Sequence, residues 1–399
     1  MANTLKFGNG EWYGKKDTIL AYNDENSNFK PLPFSFDRAS SATVINKAGL
    51  IETVGSGEPR IDYKDDSKGA LLLEPSRSNL ITYSEDFSQS DWSKQSSGVA
   101  SAPIITSNYA ISPDGTLNAD RVVFDINGGT TSSDFSQVAE SVTSSIGDVT
   151  NSVYIKSNTA SNYNISFVNA FGGSLVSIVV TPEWQRFDVT STTVSTSSVL
   201  KLRLRGSEAT SDYADVSVWG AQVEQGSYAT SYIPTQGSAV TRVAESCNNS
   251  ANEQVINDSE GVLYAEISAL YDDGIFRYIT LSDGTTSNRV IMRYTSVSNR
   301  IDGIIIVGGV TSALLTYTSP DVTVNSKISV KWKVNDFALW VDGIERASDL
   351  SGVSFTANTL NVLNLTNAVG TGSFFHGNVK DVRVYNTALT DAELQALTT

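Results

Sequence analysis

Short stretches in which apolar and polar residues alternate run along almost the whole chain of 399 residues. The clearest of them are Ser152-Val-Tyr-Ile-Lys, Asn164-Ile-Ser-Phe-Val, Leu175-Val-Ser-Ile-Val-Val, Leu200-Lys-Leu-Arg-Leu-Arg and Lys327-Ile-Ser-Val-Lys-Trp-Lys-Val. Successive side chains of a β-strand point to opposite faces, so this alternation indicates strands with one buried face. Clusters of Gly, Asn, Asp and Ser separate the stretches, as is typical of turns. The pattern predicts an all-β protein made of tandem antiparallel sandwiches.

Local signals identify a few connections. Thr390 is followed three residues later by Glu393, which is a capping box and predicts a short helix at the end of the sequence. Asp342-Gly343 predicts a tight hairpin, because this dipeptide favours the turn types that match strand twist. A second hairpin is predicted to pair residues 42–46 with residues 49–54.

Alternation also assigns faces within the stretch from Val216 to Ala221. It places Val216, Val218 and Gly220 on one face. The other face is predicted to carry Ser217, Trp219 and Ala221. Both faces then carry apolar groups, which favours a strand in the middle of a sheet.

Changes in composition divide the chain into three regions. Residues 1–74 hold aromatic, Gly-rich and Pro-containing segments and too little apolar material for an independent core, so we expect this region to dock onto a neighbour. Residues 75–245 and residues 246–399 each contain enough strands for a sandwich. The boundary between these two follows the Pro- and Gly-containing segment from Ser231 to Ser238.

The charge balance excludes several classes of partner. Asp and Glu outnumber Lys and Arg by 43 to 28, and the formal net charge is -15. An acidic surface repels phosphate backbones and anionic lipid, so neither nucleic acid nor membrane insertion is expected. The first residues lack a signal peptide and no apolar run is long enough to span a bilayer, so synthesis in the cytoplasm without export is expected. The single cysteine, Cys247, is expected to be a small buried residue.

Two segments of the middle region resemble phage tail-fibre modules related to carbohydrate-binding jelly rolls. The first runs from Leu72-Leu-Glu-Pro to Phe87, with Trp92 soon after, and the second is Trp219-Gly-Ala-Gln-Val-Glu-Gln-Gly-Ser-Tyr-Ala-Thr-Ser-Tyr-Ile-Pro-Thr. Leu5-Lys-Phe-Gly-Asn-Gly-Glu-Trp and Lys30-Pro-Leu-Pro-Phe are similar to N-terminal segments of phage structural proteins. The resemblance implies a jelly roll over residues 75–245 and an attachment region over residues 1–74.

The third region resembles the concanavalin A-like, laminin-G-like sandwich family. The resemblance lies in a strand with Trp332, the hairpin Ala338-Leu-Trp-Val-Asp-Gly, and the ending Phe375-His-Gly-Asn-Val-Lys-Asp-Val-Arg-Val-Tyr. It implies an architecture and not, by itself, a ligand.

The sequence holds few groups suited to catalysis. Glycosidases of this class need a pair of carboxylates, and the Glu-x-Asp-x-x-Glu pattern of laminarinase-like relatives does not occur. His376 is the only histidine and Cys247 the only cysteine, so triads and His-containing zinc sites are disfavoured. We therefore expect no enzyme and no cofactor. A structural calcium at loops such as Asp212–Asp215 or Pro113–Gly115 stays open.

Sugar binding requires aromatic rings that stack on pyranose faces, together with polar groups for the hydroxyls. The candidates in loop-like stretches are Trp92, Tyr109, Tyr163 and Tyr271. Regular strand context favours core packing for the other tryptophans considered, which are Trp184, Trp219, Trp332 and Trp340.

Together these features predict a subunit of a virion appendage, a tail or head fibre, that adheres to host surface polysaccharide without a covalent step. A purely structural spacer and a polysaccharide depolymerase subunit are the alternatives. The N-terminal region would bind other virion proteins. Symmetric particles present rings of equivalent sites, so a homo-oligomer is expected. The resemblance to fibre proteins implies a trimer.

Overall fold

The computed structural model describes residues 2–23, 27–169, 175–368 and 372–399. The N-terminal strands are β1 Leu5–Gly8, β2 Gly14–Lys15, β3 Thr18–Asn23, β4 Asn28–Asp37, β5 Ala42–Ile45, β6 Ile51–Val54, β7 Ile61–Asp62 and β8 Ala70–Leu73. The central strands are β9 Arg77–Asn79, β10 Ser93–Ser97, β11 Ser101–Ile111, β12 Leu117–Asp125, β13 Phe135–Thr143, β14 Gly147–Ser157, β15 Tyr163–Asn169, β16 Leu175–Val180, β17 Gln185–Thr193, β18 Ser197–Arg205, β19 Tyr213–Gln225 and β20 Val240–Arg242. The C-terminal elements are β21 Ser246–Asn248, β22 Glu260–Ala269, β23 Arg277–Ser282, β24 Arg289–Tyr294, β25 Arg300–Val307, β26 Val310–Thr318, β27 Ser326–Lys333, β28 Phe337–Val341, β29 Ile344–Asp349, β30 Val362–Asn364, β31 Gly377–Tyr385 and the helix α1 Asp391–Thr398. The predicted all-β class is confirmed.

The chain forms two compact units, and this division differs from the three expected regions. The first unit combines Met1–Gly49, Thr53–Pro75 and Val243–Thr399, and the second consists of Leu50–Glu52 and Ser76–Arg242. Most of the expected attachment region, residues 1–74, is thus an integral part of the C-terminal sandwich. The physical reason is strand pairing, since β1 and β8 both pair with β31.

The first unit is a sandwich of two antiparallel sheets. The larger sheet has the order β21-β4-β3-β1-β31-β22-β27-β28-β29, with β2 paired to β3 and with β7 and β8 added beside β31. The smaller sheet has the order β26-β25-β24-β23-β30. Their facing sides share one apolar core, in which Phe7 and Phe34 from the N-terminal strands pack with their ring centroids 4.2 Å apart.

The second unit has jelly-roll topology. One sheet has the order β10-β13-β18-β15-β16 and the other the order β11-β12-β19-β14-β17, so most consecutive strands from β12 to β19 alternate between the sheets. Val122, Val153 and Leu202 are fully buried members of the core between them. The outer side of the sheet that contains β11 carries the candidate site.

The predicted assignment of side chains to the two faces of β19 is wrong after Gly220, because the strand contains a β-bulge. The pairing of β14 with β19 shifts register between Ser152 and Tyr154, and Gly220 has φ +64°. A bulge adds one residue to a strand and reverses the faces that follow it. Ala221 therefore joins Val216 and Val218 in the inner core, whereas Trp219 lies on the outer side of the sheet.

The predicted local connections are confirmed. The α1 helix begins with the Thr390–Glu393 capping box. Asp342 and Gly343 both have positive φ, at 50° and 76°, in the turn between β28 and β29. The strands β5 and β6 pair with each other, as expected for the hairpin near residue 47.

Candidate functional site

Two of the four residues predicted to bind glycan are in the core, which is a correction. Trp92 is 1% exposed and Tyr163 is 6% exposed, and both belong to the core of the second unit. The Trp92 ring packs on Phe87 at a centroid distance of 4.5 Å, and its Nε1 atom donates to Tyr83 O at 2.9 Å. Rings covered in this way have no face left for a sugar. Trp92 lies in a bend just before β10, and Tyr163 is the first residue of β15, so neither is in an exposed loop.

The other two predicted residues are accessible and belong to different units. Tyr109 in β11 is 47% exposed, and Tyr271, in the loop after β22, is 42% exposed. Beside Tyr271, the Asp272 carboxylate accepts hydrogen bonds from Ser298 and Asn299. The Tyr109 ring has the Arg121 guanidinium beside it, and its sheet carries a second partly exposed aromatic ring.

That second ring is Trp184, for which strand context predicted core packing. It lies in the turn before β17 and is only half-buried, whereas Trp219, Trp332 and Trp340 are buried as predicted. Its Nε1 atom donates to Ile111 O in β11 at 3.0 Å. Because β17 and β11 are opposite edges of one sheet, Trp184 reaches across the outer side of that sheet.

Trp184 packs on small and aromatic residues of the outer side of the sheet. Trp184 packs against an outer apolar cluster that contains Trp219, Tyr232 and Ala119, with Ala110 and Tyr154 at its border. The two alanines lie opposite each other on β11 and β12 and leave space above the sheet. The Lys156 ammonium lies 5.2 Å from the centre of the Trp184 ring, in the range of a cation–π interaction.

A polar network lies beside this cluster on the same sheet. Arg121 Nε donates to Asp215 Oδ1 at 2.8 Å, and Arg121 Nη2 donates to Asp215 Oδ2, so the pair is bidentate. Asn158 Nδ2 donates to Asp215 Oδ1 at 2.8 Å, and Ser217 Oγ donates to Asn158 Oδ1 at 2.6 Å. Tyr213 completes the network by donating to Asp215 Oδ2.

The hydrogen bonds of this network stabilise the ionised form of Asp215. Partial burial alone would raise the pKa of Asp215, but the hydrogen bonds from Arg121 and Asn158 outweigh it, and the pKa is lowered. The Arg121 guanidinium lies 5.1 Å from the centre of the Tyr109 ring, which joins the polar network to the exposed aromatic ring. We call these residues together, Tyr109, Arg121, Lys156, Asn158, Trp184, Tyr213, Asp215 and Ser217, the Tyr109–Trp184 surface.

Sequence reasoning found Tyr109 and missed most of this surface. Asp215 was considered only as a possible calcium ligand, and Arg121 was not considered. In the structure the Asp215 carboxylate is engaged by Arg121, and the Asp114 carboxylate accepts from Ser112 and Thr116. Among the described residues, no group of three or more His, Cys, Asp or Glu side chains is placed to hold a metal ion.

Comparison with known protein families gives one match, in the C-terminal part of the chain. Residues 268–395 match the concanavalin A-like lectin/glucanases superfamily. The match agrees with the resemblance seen in the sequence and covers the C-terminal half of the first unit. A search of curated proteins found no match.

Several solved structures are similar to the chain at low values of sequence identity and TM-score. The chain is similar to the CBM40 domain of a Ruminococcus gnavus sialidase bound to α2,3-sialyllactose, at 16% identity and a TM-score of 0.33 over 38% of this chain and 94% of that one. It is also similar to a pentraxin from Limulus polyphemus, at 12% identity and a TM-score of 0.30 over 36% and 70% of the two chains. A third similar structure is domain 4 of a Geobacillus stearothermophilus arabinanase with arabinotriose, at 11% identity and a TM-score of 0.29 over 44% and 84%. Such values support no conclusion about a ligand.

Within the described residues, no helix combines the length and apolar character needed to cross a bilayer.

Proposed function

We propose that this protein binds glycans non-covalently through the Tyr109–Trp184 surface and acts as an adhesin. The observation that carries the proposal is the combination, on one side of one sheet, of accessible aromatic rings with a hydrogen-bonded set of charged and amide groups. Sugars have apolar ring faces and polar edges, so a site for them needs both kinds of group side by side.

Each part of the surface has a role in this proposal. The Tyr109 and Trp184 rings offer faces for pyranose stacking. Arg121 and Lys156 donate to sugar hydroxyls, and Asp215 and Asn158 accept from them. Because Arg121 and Asp215 already fix each other, little side-chain freedom is lost when a ligand binds.

The proposal also covers the particle on which the protein acts and the partners that it binds. We assign the protein to a fibre or other appendage of a phage particle, on the basis of the sequence resemblance at Leu72–Phe87 and Trp219–Thr235. Attachment to other virion proteins would involve the first unit, because that unit contains the N-terminal strands. A homo-oligomer, with a trimer favoured, would multiply weak single-site binding. No bond is broken in this role.

A glycan array probed with the full chain tests the proposal. We expect binding to a restricted set of host-type surface polysaccharides. Tyr109→Ala should weaken that binding roughly tenfold, because an exposed stacking ring is lost. Tyr13→Ala is the matched control, since Tyr13 and Tyr109 are both 47% exposed, and it should leave binding unchanged.

Two results would contradict this function. An array without any bound glycan would favour a structural spacer. Release of reducing sugar with turnover from a bound polysaccharide would make the protein a depolymerase.

A further inference from the structure

A groove on the outer side of the larger sheet of the first unit has no role in the proposed function. It has a volume of about 540 Å³, within the usual range for small-molecule sites. It lies between the loop of residues 66–69, the strands β22, β27 and β31, and the α1 helix. Its lining residues carry many charges: Lys68, Lys327, Lys380 and Arg383 are cationic, and Asp66, Glu266 and Asp381 are anionic.

Some of these charges pair with one another. Lys380 Nζ lies 2.9 Å from Asp66 Oδ2. Arg383 Nε donates to Asp381 Oδ2 at 2.9 Å. All four residues line the groove, and Lys380, Asp66 and Arg383 need no ligand to balance their charges.

Three adjacent groups along the floor remain incompletely satisfied. Glu266 is directly opposite Asp381 on one neighbouring strand and directly opposite Lys327 on the other. The Glu266 carboxylate and the Lys327 ammonium form no hydrogen bond or ion pair with any described residue. Asp381 is only 2% exposed, and its Oδ1 atom accepts no hydrogen bond in the described chain.

This arrangement is costly when the groove contains only water. A buried acceptor without a donor loses solvation, and carboxylates at directly opposite positions repel each other. Burial raises the pKa of Asp381 although Arg383 opposes the rise, and the charge of Glu266 adds to it. A cationic donor placed between the two carboxyl groups would relieve both costs.

We propose that this groove binds a ligand with a primary ammonium group and a neighbouring hydroxyl, as in an amino sugar with an unsubstituted amine. The ammonium donates to Glu266 and lies beside Asp381, and the hydroxyl accepts from Lys327. Ring stacking has no part in this site, because Tyr264 in the groove is 2% exposed and has the Arg383 guanidinium 5.4 Å from its ring centre. The site lies in the first unit and is independent of the Tyr109–Trp184 surface.

Binding of D-glucosamine to the full chain, measured by saturation-transfer NMR titration near pH 7, tests this proposal. D-glucose and N-acetyl-D-glucosamine are the comparison ligands, because they keep the ring and lack the ammonium group. We expect saturable binding of glucosamine, and binding of the other two weaker by about tenfold or more, since a charge-assisted hydrogen bond is lost. Equal binding of the three sugars, or no binding of glucosamine, would overturn the proposal.

Variants assign the binding to the groove. Glu266→Gln should weaken glucosamine binding by about tenfold or more. Glu260→Gln is the matched control on the same strand, since Glu260 pairs with Lys333 outside the groove, and it should bind as the unaltered chain does. Lys327→Met provides a second test if Glu266→Gln does not fold, and should also weaken binding. Unchanged affinity in a folded Glu266→Gln or Lys327→Met variant would disprove the site. Tyr109→Ala should keep glucosamine binding, so this proposal and the glycan proposal fail separately.

Discussion

Glu245 shows how a single buried carboxylate joins distant parts of the first unit. It accepts hydrogen bonds from Arg38 Nη1 at 2.8 Å, from Arg60 Nε at 2.8 Å and from the backbone N–H of Glu74 at 2.9 Å. The side chains of Arg38, Arg60 and Glu245 are fully buried, and Arg60 also contacts Glu74. Two arginines are thus balanced by two glutamates.

Replacing Glu245 by Gln should destabilise the protein by about 3–5 kcal/mol, because the buried Arg38 then loses its carboxylate and the buried Arg60 keeps only Glu74. Denaturant unfolding monitored by circular dichroism gives the free energy. The control Glu260→Gln breaks the Lys333 pair, in which the lysine side chain is 49% exposed, and should have a much smaller effect because solvent screens the pair. Equal effects of the two substitutions would show that the buried cluster contributes nothing special.

His376 makes stability depend on pH. Burial, and next the charge of Arg277, lower its pKa from 6.5 to about 4. Between these two values the unfolded chain binds a proton that the folded chain does not, so stability is complete above pH 6.5 and falls as pH drops toward 4. The loss amounts to at most about 3 kcal/mol.

The difference in stability between the unaltered chain and His376→Gln, measured from pH 7 to pH 4, isolates this effect. It should shrink as pH falls through this window. Burial raises the pKa of Asp120 to about 6, so the contribution of Asp120 to the stability of the protein falls as pH rises. This pH dependence is opposite in sign to that of His376. Asp120 is present in both proteins and cancels in the difference. A difference that is constant with pH would refute the role of His376.

The burial of a tryptophan was predictable from the sequence where its contacts follow from its own strand. It was not predictable where the contacts come from distant parts of the chain. Trp332 lies in a regular strand and Trp219 lies in a strand just before the Gly220 bulge, and both are buried as their strand context predicted. Trp92 was predicted to be exposed, but its segment folds against the core. Trp184 contacts Ile111, which is 73 residues away in the sequence. Such contacts depend on sheet order, which alternation within one strand does not specify.

Among the strands and turns, local signals were the most informative. The capping box of α1 was visible in the sequence, and in the structure Glu393 N donates to Thr390 Oγ1 while Thr390 N donates to Glu393 Oε2. The bulge at Gly220 was not visible, because it depends on the partner strand β14. Single residues therefore reveal caps and tight turns but not register.

The cap gives a prediction for the helix. Thr390→Ala should lower stability by about 1 kcal/mol, since a first-turn N–H loses its acceptor. Thr387→Ala is a suitable control, because Thr387 is exposed and lies outside the cap. Thermal melting of both variants checks the expectation. A Thr390→Ala variant as stable as the control would mean that packing of Leu394, which is fully buried, holds the helix without the cap.

Across the whole chain, the pairing of the two ends is what sequence reasoning could not provide. Leu5 in β1 is in register with Val384 in β31, 379 residues later. Neither strand carries a signal for its partner, because any alternating strand can pair with another. The sequence did indicate two sandwiches and the approximate limits of the second. The assignment of residues 1–74 to a separate region followed from their low apolar content, which is compatible with a few strands added to a larger sheet.

This pairing predicts how fragments behave. Residues 246–399 alone lack β1, β3 and β4, and with them the buried residues Leu5, Phe7 and Phe34 of the shared core, so this fragment should not fold cooperatively. Residues 76–242 contain the two five-stranded sheets and the whole inner core of the second unit, so this fragment should melt cooperatively and retain the proposed glycan binding. Circular dichroism melts of the two purified fragments decide between these outcomes. A cooperative melt of residues 246–399 would mean that the C-terminal strands fold without the N-terminal strands. It would support the sequence-based prediction that residues 1–74 form a separate region.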